Sequence, residues 1–201
     1  DRLIAFDRRG ADGHEGASAS YHLYQRLRDQ SHTLARVAAW SKADMTLSTA
    51  GAGMTVSGNL VSDSYFSVLG LRPSLGRFFL REEDDVPLAH PVVVVSYPYW
   101  AVYLGRDSGA VGKPIFVNGH QYTLIGVAPR GFHGVFSPIR VGAWVLLAMQ
   151  PQLRPRRDLA TLAAVVVRIE RQPLFVETLE QHHTRRRPAA FVDSGQRHRG
   201  R

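Results

Sequence analysis

The sequence predicts an α+β fold in which a few short helices pack on a sheet. Three observations lead to this prediction. Val92–Val95 is a run of four β-branched residues without polar alternation, which is typical of a strand buried on both faces. Residues 62–70 combine a capping serine, an apolar helical face and a terminal glycine. Asn118 and Gly119 join two strand-like segments and fit a two-residue type I′ turn.

Composition is compatible with one ordinary domain or two small lobes. The chain has 201 residues, 44% of them hydrophobic, which is enough for a packed core. It has no cysteine, which excludes disulfides, thiolate metal sites and a cysteine nucleophile. No apolar run approaches the roughly 18–20 residues that span a bilayer, and residues 1–6 do not resemble a signal peptide. Without an initiator methionine, the chain is expected to be a fragment.

The N-terminal half contains two predicted helices and several strands. Residues 7–19 are typical of a loop, and a helix is predicted over about 19–29 on the apolar face of Leu23, Tyr24 and Leu27, with Ser18 or Ser20 as cap. Strands are predicted at 34–40, 45–48 and 55–61, the last weakened by Gly58. A second helix is predicted over 62–69.

That second helix has clear end signals. Ser62 is the candidate N-cap, Asp63 complements the helix dipole, and Gly70 suits the left-handed position after the helix. A loop over 71–81 leads into four consecutive acidic residues at 82–85. These lack the alternate spacing of a calcium loop, so a solvated loop is favoured over a calcium or paired-carboxylate site.

The C-terminal half begins with the Val92–Val95 strand. Ser96 then caps a helix predicted over 97–104, with Pro98 in its first turn and Gly105 at its end. A hairpin is predicted over 115–127 and short strands over 141–147 and 162–169. Residues 181–201 have few apolar residues and are predicted to be disordered.

The formal charge of +8 is concentrated in the tail. The last seventeen residues carry six arginines against one aspartate, so the body is only mildly basic. The tail suggests contact with nucleic acid or anionic lipid headgroups, but an unstructured tail is favoured.

No motif indicates catalysis, a cofactor site or a metal site. The chain lacks a Gly-x-Ser-x-Gly elbow and a phosphate-binding P-loop. No histidine pair has helical metal-ligand spacing, since His14, His22, His32, His90, His120 and His133 are scattered and His182 and His183 are adjacent. Aromatic residues that resemble a base-stacking platform are better explained by core packing; they are Tyr65, Phe66, Tyr97, Tyr99, Trp100 and Tyr103.

An ordered series of sequence blocks resembles the MacB-like periplasmic core domain of ABC-transporter permeases of the MacB/FtsX type. The nearest resemblance is to the duplicated orphan permeases of acidobacteria. The blocks are residues 20–28, 56–70, 72–79, 93–97 with Trp100, 111–113, 117–119 and 122–132. The resemblance covers residues 1–150, with a degraded continuation over 151–180 and an unrelated basic tail over 181–201, so the domain is expected to be incomplete at its C-terminus.

The resemblance implies a two-lobed extracytoplasmic domain, a sheet with packed helices plus an inserted β-rich lobe. It places the domain between two transmembrane helices on the periplasmic face of the bacterial inner membrane. The implied role is mechanical and non-catalytic, with no cofactor: cytoplasmic ATP hydrolysis drives a conformational change for efflux or envelope-substrate handling. Implied partners are the permease's transmembrane segments, an ABC ATPase and, in some members, a periplasmic adaptor protein, with no nucleic acid.

Two other classes of function remain open from the residues themselves. One is a basic protein that binds nucleic acid or an anionic surface, because of the overall charge. The other is an unrecognised hydrolase, because serine, histidine and aspartate all occur in the chain.

Overall fold

The sheet of this protein is built from strands that are distant in sequence. The computed structural model describes residues 2–6, 24, 26, 28–29, 36–49, 53–135, 140–153 and 164–169, all within the unit Asp1–Glu170. The predicted loop at 7–19 and the basic tail at 181–201 lie outside the described residues. The strands are β1 (Arg2–Phe6), β2 (Arg36–Ser48), β3 (Met54–Val61), β4 (Leu75–Gly76), β5 (Val92–Val95), β6 (Pro114–Val117), β7 (His120–Val127), β8 (Ala143–Leu146) and β9 (Ala164–Ile169).

Short helices complete the described part of the chain. The α-helices are α1 (Tyr65–Val68), α2 (Tyr97–Tyr103) and α3 (Gln150–Leu153), and single 3₁₀ turns occur at Arg81–Glu83, Ser108–Ala110 and Leu147–Met149. Residues 24, 26, 28 and 29 are helical, in agreement with the helix predicted over 19–29. No helix among the described residues is long and apolar enough to cross a membrane.

The described strands form one mixed sheet, which confirms the predicted α+β class. Their order is β1-β9-β2-β3-β8-β5-β7-β4, and β6 pairs with both β2 and β7. Strands β2, β3, β8, β5, β7 and β6 therefore form a closed circuit of hydrogen-bonded neighbours. Closure satisfies backbone groups that an open sheet would leave at its edges. The two lobes that the resemblance implies remain a prediction.

The strands at the two ends of the described chain are direct neighbours. β9 lies between β1 and β2 and is antiparallel to both, and Arg2 is paired with Ile169. The sequence indicated β9 but not β1. β1 has only five residues, and its partner β9 lies at the other end of the described chain. A local sequence pattern does not indicate a pairing over that distance.

β2 corrects the prediction of two separate strands at 34–40 and 45–48. It continues without a break, and the connecting residues alternate between buried Ser41 and Ala43 and exposed Lys42 and Asp44. Period-two alternation is itself a strand signal. Lys42 and Asp44 suggested a break between two strands because they are charged. In the structure both are exposed to solvent within one continuous strand.

β5 and the β6–β7 hairpin confirm the two strongest strand predictions. All four residues of β5 are buried, between the parallel neighbour β7 and the antiparallel neighbour β8. In the hairpin turn, Asn118 has φ 50° and Gly119 has φ 81°, which is the geometry that a type I′ turn requires.

Asn118 also closes the strand circuit. Its backbone N–H donates to the carbonyl of Thr46 at 2.8 Å, and its side-chain carbonyl accepts from the N–H of Thr46 at 2.7 Å. The turn residue thereby joins β6 to β2 beyond their two ladder pairs, Leu47 with Val117 and Ser48 with Phe116.

Replacing Asn118 by alanine is expected to lower the free energy of unfolding by about 1–2 kcal/mol, because alanine loses the bond to Thr46 and tolerates positive φ poorly. Asn118→Gly is the matched control: it keeps the backbone freedom and loses only the side-chain bond, so its loss should stay below about 1 kcal/mol. Urea unfolding followed by circular dichroism measures both. Equal losses for the two variants would show that positive φ at this position carries no energetic cost.

The α1 region packs an aromatic cluster onto the sheet. Phe66 stacks on Phe78 with ring centroids 3.9 Å apart, and it contacts Trp144 at 5.5 Å and Phe132 at 6.2 Å. Trp144 and Phe132 also stack on each other at 5.4 Å. Tyr65, Phe66 and Trp144 are fully buried, which confirms that the first two are core residues.

The end of α1 confirms its predicted signal, and the start corrects it. Gly70 has φ 70°, the N–H of Leu71 donates to the carbonyl of Phe66, and the N–H of Gly70 donates to that of Ser67, which is a Schellman motif. Ser64, not Ser62, precedes the helix, and it makes no side-chain cap bond.

Ser62 has a different role from the predicted cap. Its hydroxyl accepts from the N–H of Ala39 at 3.1 Å and lies 3.1 Å from the hydroxyl of Ser64, which donates to the carbonyl of Val37 at 2.6 Å. These bonds join the loop before α1 to β2. A serine before a helix has the same local pattern whether it caps or bridges, so only the tertiary partner distinguishes them.

Candidate functional site

An apolar groove lies between α2 and the start of β3, and it is the candidate functional site. Its volume is about 440 Å³. We call it the α2 groove. It is lined by Met54, Thr55, Val56, Ser57, Ser96, Pro98, Tyr99, Val102, Tyr103, His133, Arg140, Val141 and Gly142.

The helical wall is held in place by a well-formed N-terminus. The hydroxyl of Ser96 accepts from the N–H of Tyr99 at 3.2 Å, and Pro98 lies in the first turn, as predicted. Tyr99 is buried, and its ring stacks on that of Tyr103 at 5.1 Å. Burial, with a smaller effect of Tyr103, raises the pKa of Tyr99 above its usual range.

The outer side of this wall corrects part of the core-packing prediction. Val102 is 70% exposed and Tyr103 is 51% exposed, so neither is a core residue. The sequence contained a signal for this. α2 is apolar around most of its circumference. A short surface helix of that kind can bury only one side against its own sheet, so the other side leaves apolar surface exposed.

The other wall of the groove is the start of β3, which is exposed because the neighbouring strand β8 does not extend that far. β8 pairs with β3 only from Gly58 onward, so Met54 and Thr55 are exposed and Val56 and Ser57 are half-buried, while the rest of the strand is buried. The Ser57 hydroxyl is inaccessible to solvent and has no hydrogen-bond partner among the described residues.

The rim carries positive charge at Arg140. Apart from the tyrosines, His133 and Arg140 are the ionisable side chains among the described lining residues, which include no carboxylate. Arg140 is exposed and forms no ion pair with any residue that the structure describes. The groove therefore combines an apolar floor with a guanidinium at its edge.

The acidic run at 82–85 is not the solvated loop that was predicted. Glu83 and Asp84 are buried, whereas Glu82 and Asp85 are exposed. Arg77 donates to both carboxylate oxygens of Glu83, at 3.0 Å and 2.6 Å. Burial alone would raise the pKa of Glu83, but these bonds and one from the N–H of Leu80 at 2.9 Å hold it below its usual range.

Asp84 bonds to backbone groups of two separate segments. Its carboxylate accepts from the N–H of Ala148 at 3.1 Å and from the N–H of Asp63 at 3.3 Å. Burial raises its pKa to about 7, and the nearby Asp63 carboxylate acts in the same direction. Burial likewise raises the pKa of Asp63 above its usual range. Both acceptor bonds tie structural segments together, so the described contacts indicate a structural role.

The histidines do not form a site within the described residues. His90, His120 and His133 lie on separate segments, and no group of three potential metal ligands comes together in that part of the chain. His14, His22, His32, His182 and His183 lie outside the described residues. The absence of catalytic, cofactor and metal sites remains a prediction.

Two comparisons with known proteins identify relatives. The family model described as MacB-like periplasmic core domain matches residues 2–172, past residue 150 where the resemblance seen in the sequence stops. No protein with a curated description matches the chain significantly.

Solved structures share the fold at low identity. The extracellular domain of the noncanonic ABC-type transporter YknZ from Gram-positive bacteria has 18% identity and a TM-score of 0.64, covering 85% of this chain and 84% of that one. The periplasmic region of MacB from Actinobacillus actinomycetemcomitans has 16% identity and a TM-score of 0.64, covering 84% and 74%. A domain of a putative permease protein from Porphyromonas gingivalis has 13% identity and a TM-score of 0.57, covering 85% and 76%.

Proposed function

Because the chain belongs to the MacB-like periplasmic core domain family, we propose that it is the extracytoplasmic domain of an ABC-transporter permease and that it transmits motion without catalysing a reaction. The family match over residues 2–172 is the observation that carries this proposal. The described fold agrees with it, since solved periplasmic and extracellular domains of such transporters share it.

The pairing of the first and last described strands supports an inserted domain. Arg2 and Ile169 are directly opposite each other on β1 and β9. A domain whose entry and exit lie side by side can be placed between two consecutive transmembrane segments without distorting its core. Those segments are the first partners that we propose.

The coupling mechanism that we propose needs no reactive side chain. ATP hydrolysis by an ABC ATPase in the cytoplasm moves the transmembrane segments, and that motion reaches the domain through β1 and β9. The closed strand circuit moves as a body, because its core is tightly packed and resists deformation. The domain then alternates between two positions whose populations the nucleotide biases, for efflux or for handling an envelope substrate, with an adaptor protein as a further partner.

Hydrogen–deuterium exchange on the whole permease with its ATPase, in nanodiscs, tests this coupling. Trapping the ATPase with ATP and vanadate should change exchange in β1 and β9 and leave the buried β5 unchanged, because motion enters through these two strands. A variant of the ATPase that binds but does not hydrolyse ATP is the control. Identical exchange in every peptide of this domain, with and without trapping, would contradict the coupling.

Salt-titrated binding to duplex DNA tests the nucleic-acid alternative on the same chain. Replacing all six arginines of the tail with glutamine should remove any salt-dependent binding, since the tail holds most of the excess charge; they are Arg185, Arg186, Arg187, Arg197, Arg199 and Arg201. Salt-dependent binding that persists in this variant would place the basic surface on the folded body and favour the alternative.

A further inference from the structure

The α2 groove contains a strand edge with which no strand in the described part of the chain pairs. The register of β2 and β3 shows which groups lie on it. Thr46 lies opposite Thr55, and the N–H and C=O of Thr46 both bond to Asn118, away from β3. In an antiparallel ladder, two opposite residues either exchange both backbone hydrogen bonds with each other or both direct their N–H and C=O groups away from each other. The N–H and C=O of Thr55 therefore point away from β2, toward the groove.

The open edge has a defined end. Two residues further along β3, on the same side, the carbonyl of Ser57 accepts from the N–H of Gly142 at 2.7 Å, and regular pairing with β8 starts at Gly58. No described strand pairs with Thr55 on that side. The donor and acceptor of Thr55 are therefore in position to pair with an added strand that lies along β3 in line with β8.

The side chains around this edge favour an apolar segment. Met54 is 37% exposed, and across the groove lie the exposed Val102 and Tyr103. Every second side chain of an extended peptide would contact this floor, because strand side chains alternate between faces. A strand edge facing an apolar helix is a geometry that binds peptides by strand addition.

The charge at the rim indicates which residues would flank the apolar stretch of a bound peptide. Arg140 is an exposed guanidinium without an ion pair among the described residues, and no carboxylate lines the groove. An acidic side chain next to the apolar stretch of the peptide would find its counter-charge there. A basic flank would meet Arg140 and be disfavoured.

We propose that the α2 groove binds an extended polypeptide segment of another protein, apolar at alternate positions and flanked by acidic residues, which adds as a strand to β3 at Thr55. This goes beyond the coupling role and does not depend on it.

The test uses the whole 201-residue chain and a defined probe. The probe is a fluorescein-labelled peptide with two glutamates followed by four valine–threonine repeats, acetylated and amidated, and binding is measured by fluorescence anisotropy. A second peptide with N-methylated amides at alternate positions has the same side chains but cannot pair on its methylated edge. Saturable binding of the first, and at least about tenfold weaker binding of the second, is the expected result.

Thr55→Pro and Thr55→Val form the matched pair of variants. Proline removes the N–H that faces the groove and leaves the β2 ladder intact, which is the position where an edge strand tolerates proline. Valine keeps the N–H. The proline variant should bind the probe about tenfold more weakly, and the valine variant should bind within about twofold of the parent chain. Urea unfolding of both variants checks that the domain is folded.

The contribution of charge is tested by a swap. Arg140→Glu should weaken binding of the glutamate peptide and strengthen binding of a peptide in which two lysines replace the glutamates. Tight binding of both peptides to the parent chain, with no effect of the swap, would overturn the acidic-flank part of the proposal.

Three outcomes would overturn the proposal as a whole. One is equal binding of the plain and N-methylated peptides. Another is slow amide exchange of Thr55 by NMR in the free chain, which would mean that the edge is already covered. The last is concentration-dependent dimerisation that Thr55→Pro abolishes, which would assign the edge to a second copy of the chain. Each of these leaves the nucleotide-coupling experiment unaffected, since the peptide assay contains no ATPase.

Discussion

Replacing Trp144 by alanine is expected to lower the free energy of unfolding by about 3–5 kcal/mol. Trp144 is fully buried on β8, where it is paired with Asn59 on one side and Val94 on the other. Its ring contacts Phe66 and Phe132, so alanine would leave a cavity in the centre of the aromatic cluster. Because β8 lies between β3 and β5, the surrounding backbone cannot move inward to fill that cavity.

Trp100→Ala is the control for this substitution. Trp100 is partly buried on α2, and its indole N–H donates to the carbonyl of Asp107 at 2.9 Å. Trp100→Ala should lower the free energy of unfolding by about 1–2 kcal/mol, since water can replace much of the removed contact. Trp144→Phe, which retains an aromatic ring, should lose less than Trp144→Ala. Urea unfolding followed by far-ultraviolet circular dichroism measures all three, and equal losses for Trp144→Ala and Trp100→Ala would contradict the central position of Trp144.

The stability of the domain is expected to fall as the pH rises from about 4 to about 7, and Asp84→Asn should remove most of this dependence. Burial raises the pKa of Asp84 to about 7, above the value near 3.9 of an unfolded aspartate. The folded chain therefore binds more protons than the unfolded chain in this interval, and its stability decreases with pH. The full contribution of Asp84 is about 4 kcal/mol, present below about pH 4 and lost by about pH 7.

The groups around Asp84 set the controls for this experiment. The Asp63 carboxylate raises the pKa of Asp84, and the bonds from the N–H groups of Ala148 and Asp63 and the Arg28 guanidinium lower it. Asp63 has a raised pKa of its own and contributes a dependence of the same sign, which should remain in Asp84→Asn. Urea midpoints at intervals between pH 4 and 8 measure both chains. A parent chain whose stability rises over this range, or an unchanged slope in Asp84→Asn, would show that Asp84 is ionised in the folded state.

The acidic run shows why burial is difficult to infer from a single sequence. Four consecutive carboxylates have the pattern of a solvated loop, and Glu82 and Asp85 follow it. Glu83 is buried because Arg77, six residues earlier, forms two hydrogen bonds to it. Asp84 is buried because its partners are backbone N–H groups distant in sequence. A backbone donor has no sequence signature, so nothing in the run distinguishes its two middle residues.

The α2 groove likewise combines features that can be predicted from the sequence with one that cannot. The helix, its Ser96 cap and its apolar composition are all readable from the sequence. The open edge at Thr55 is not, because it depends on where β8 begins to pair with β3 and on the direction in which Thr46 turns. Register between strands that are far apart in the chain is a property of the assembled sheet.

The buried strand β5, the type I′ turn at Asn118 and Gly119 and the glycine that ends α1 were predictable from the sequence, because each depends on residues within one or two turns of chain, where side-chain shape and backbone preference act directly. The α+β class and the membership of the permease-domain family were predictable from the order in which such local patterns follow one another along the chain. Tertiary structure alone decided the closed strand circuit, the pairing of β1 with β9, the bridging role of Ser62 and the burial of Asp84. Each of these requires two segments far apart in sequence to meet, and that encounter is settled by the packing of the whole core.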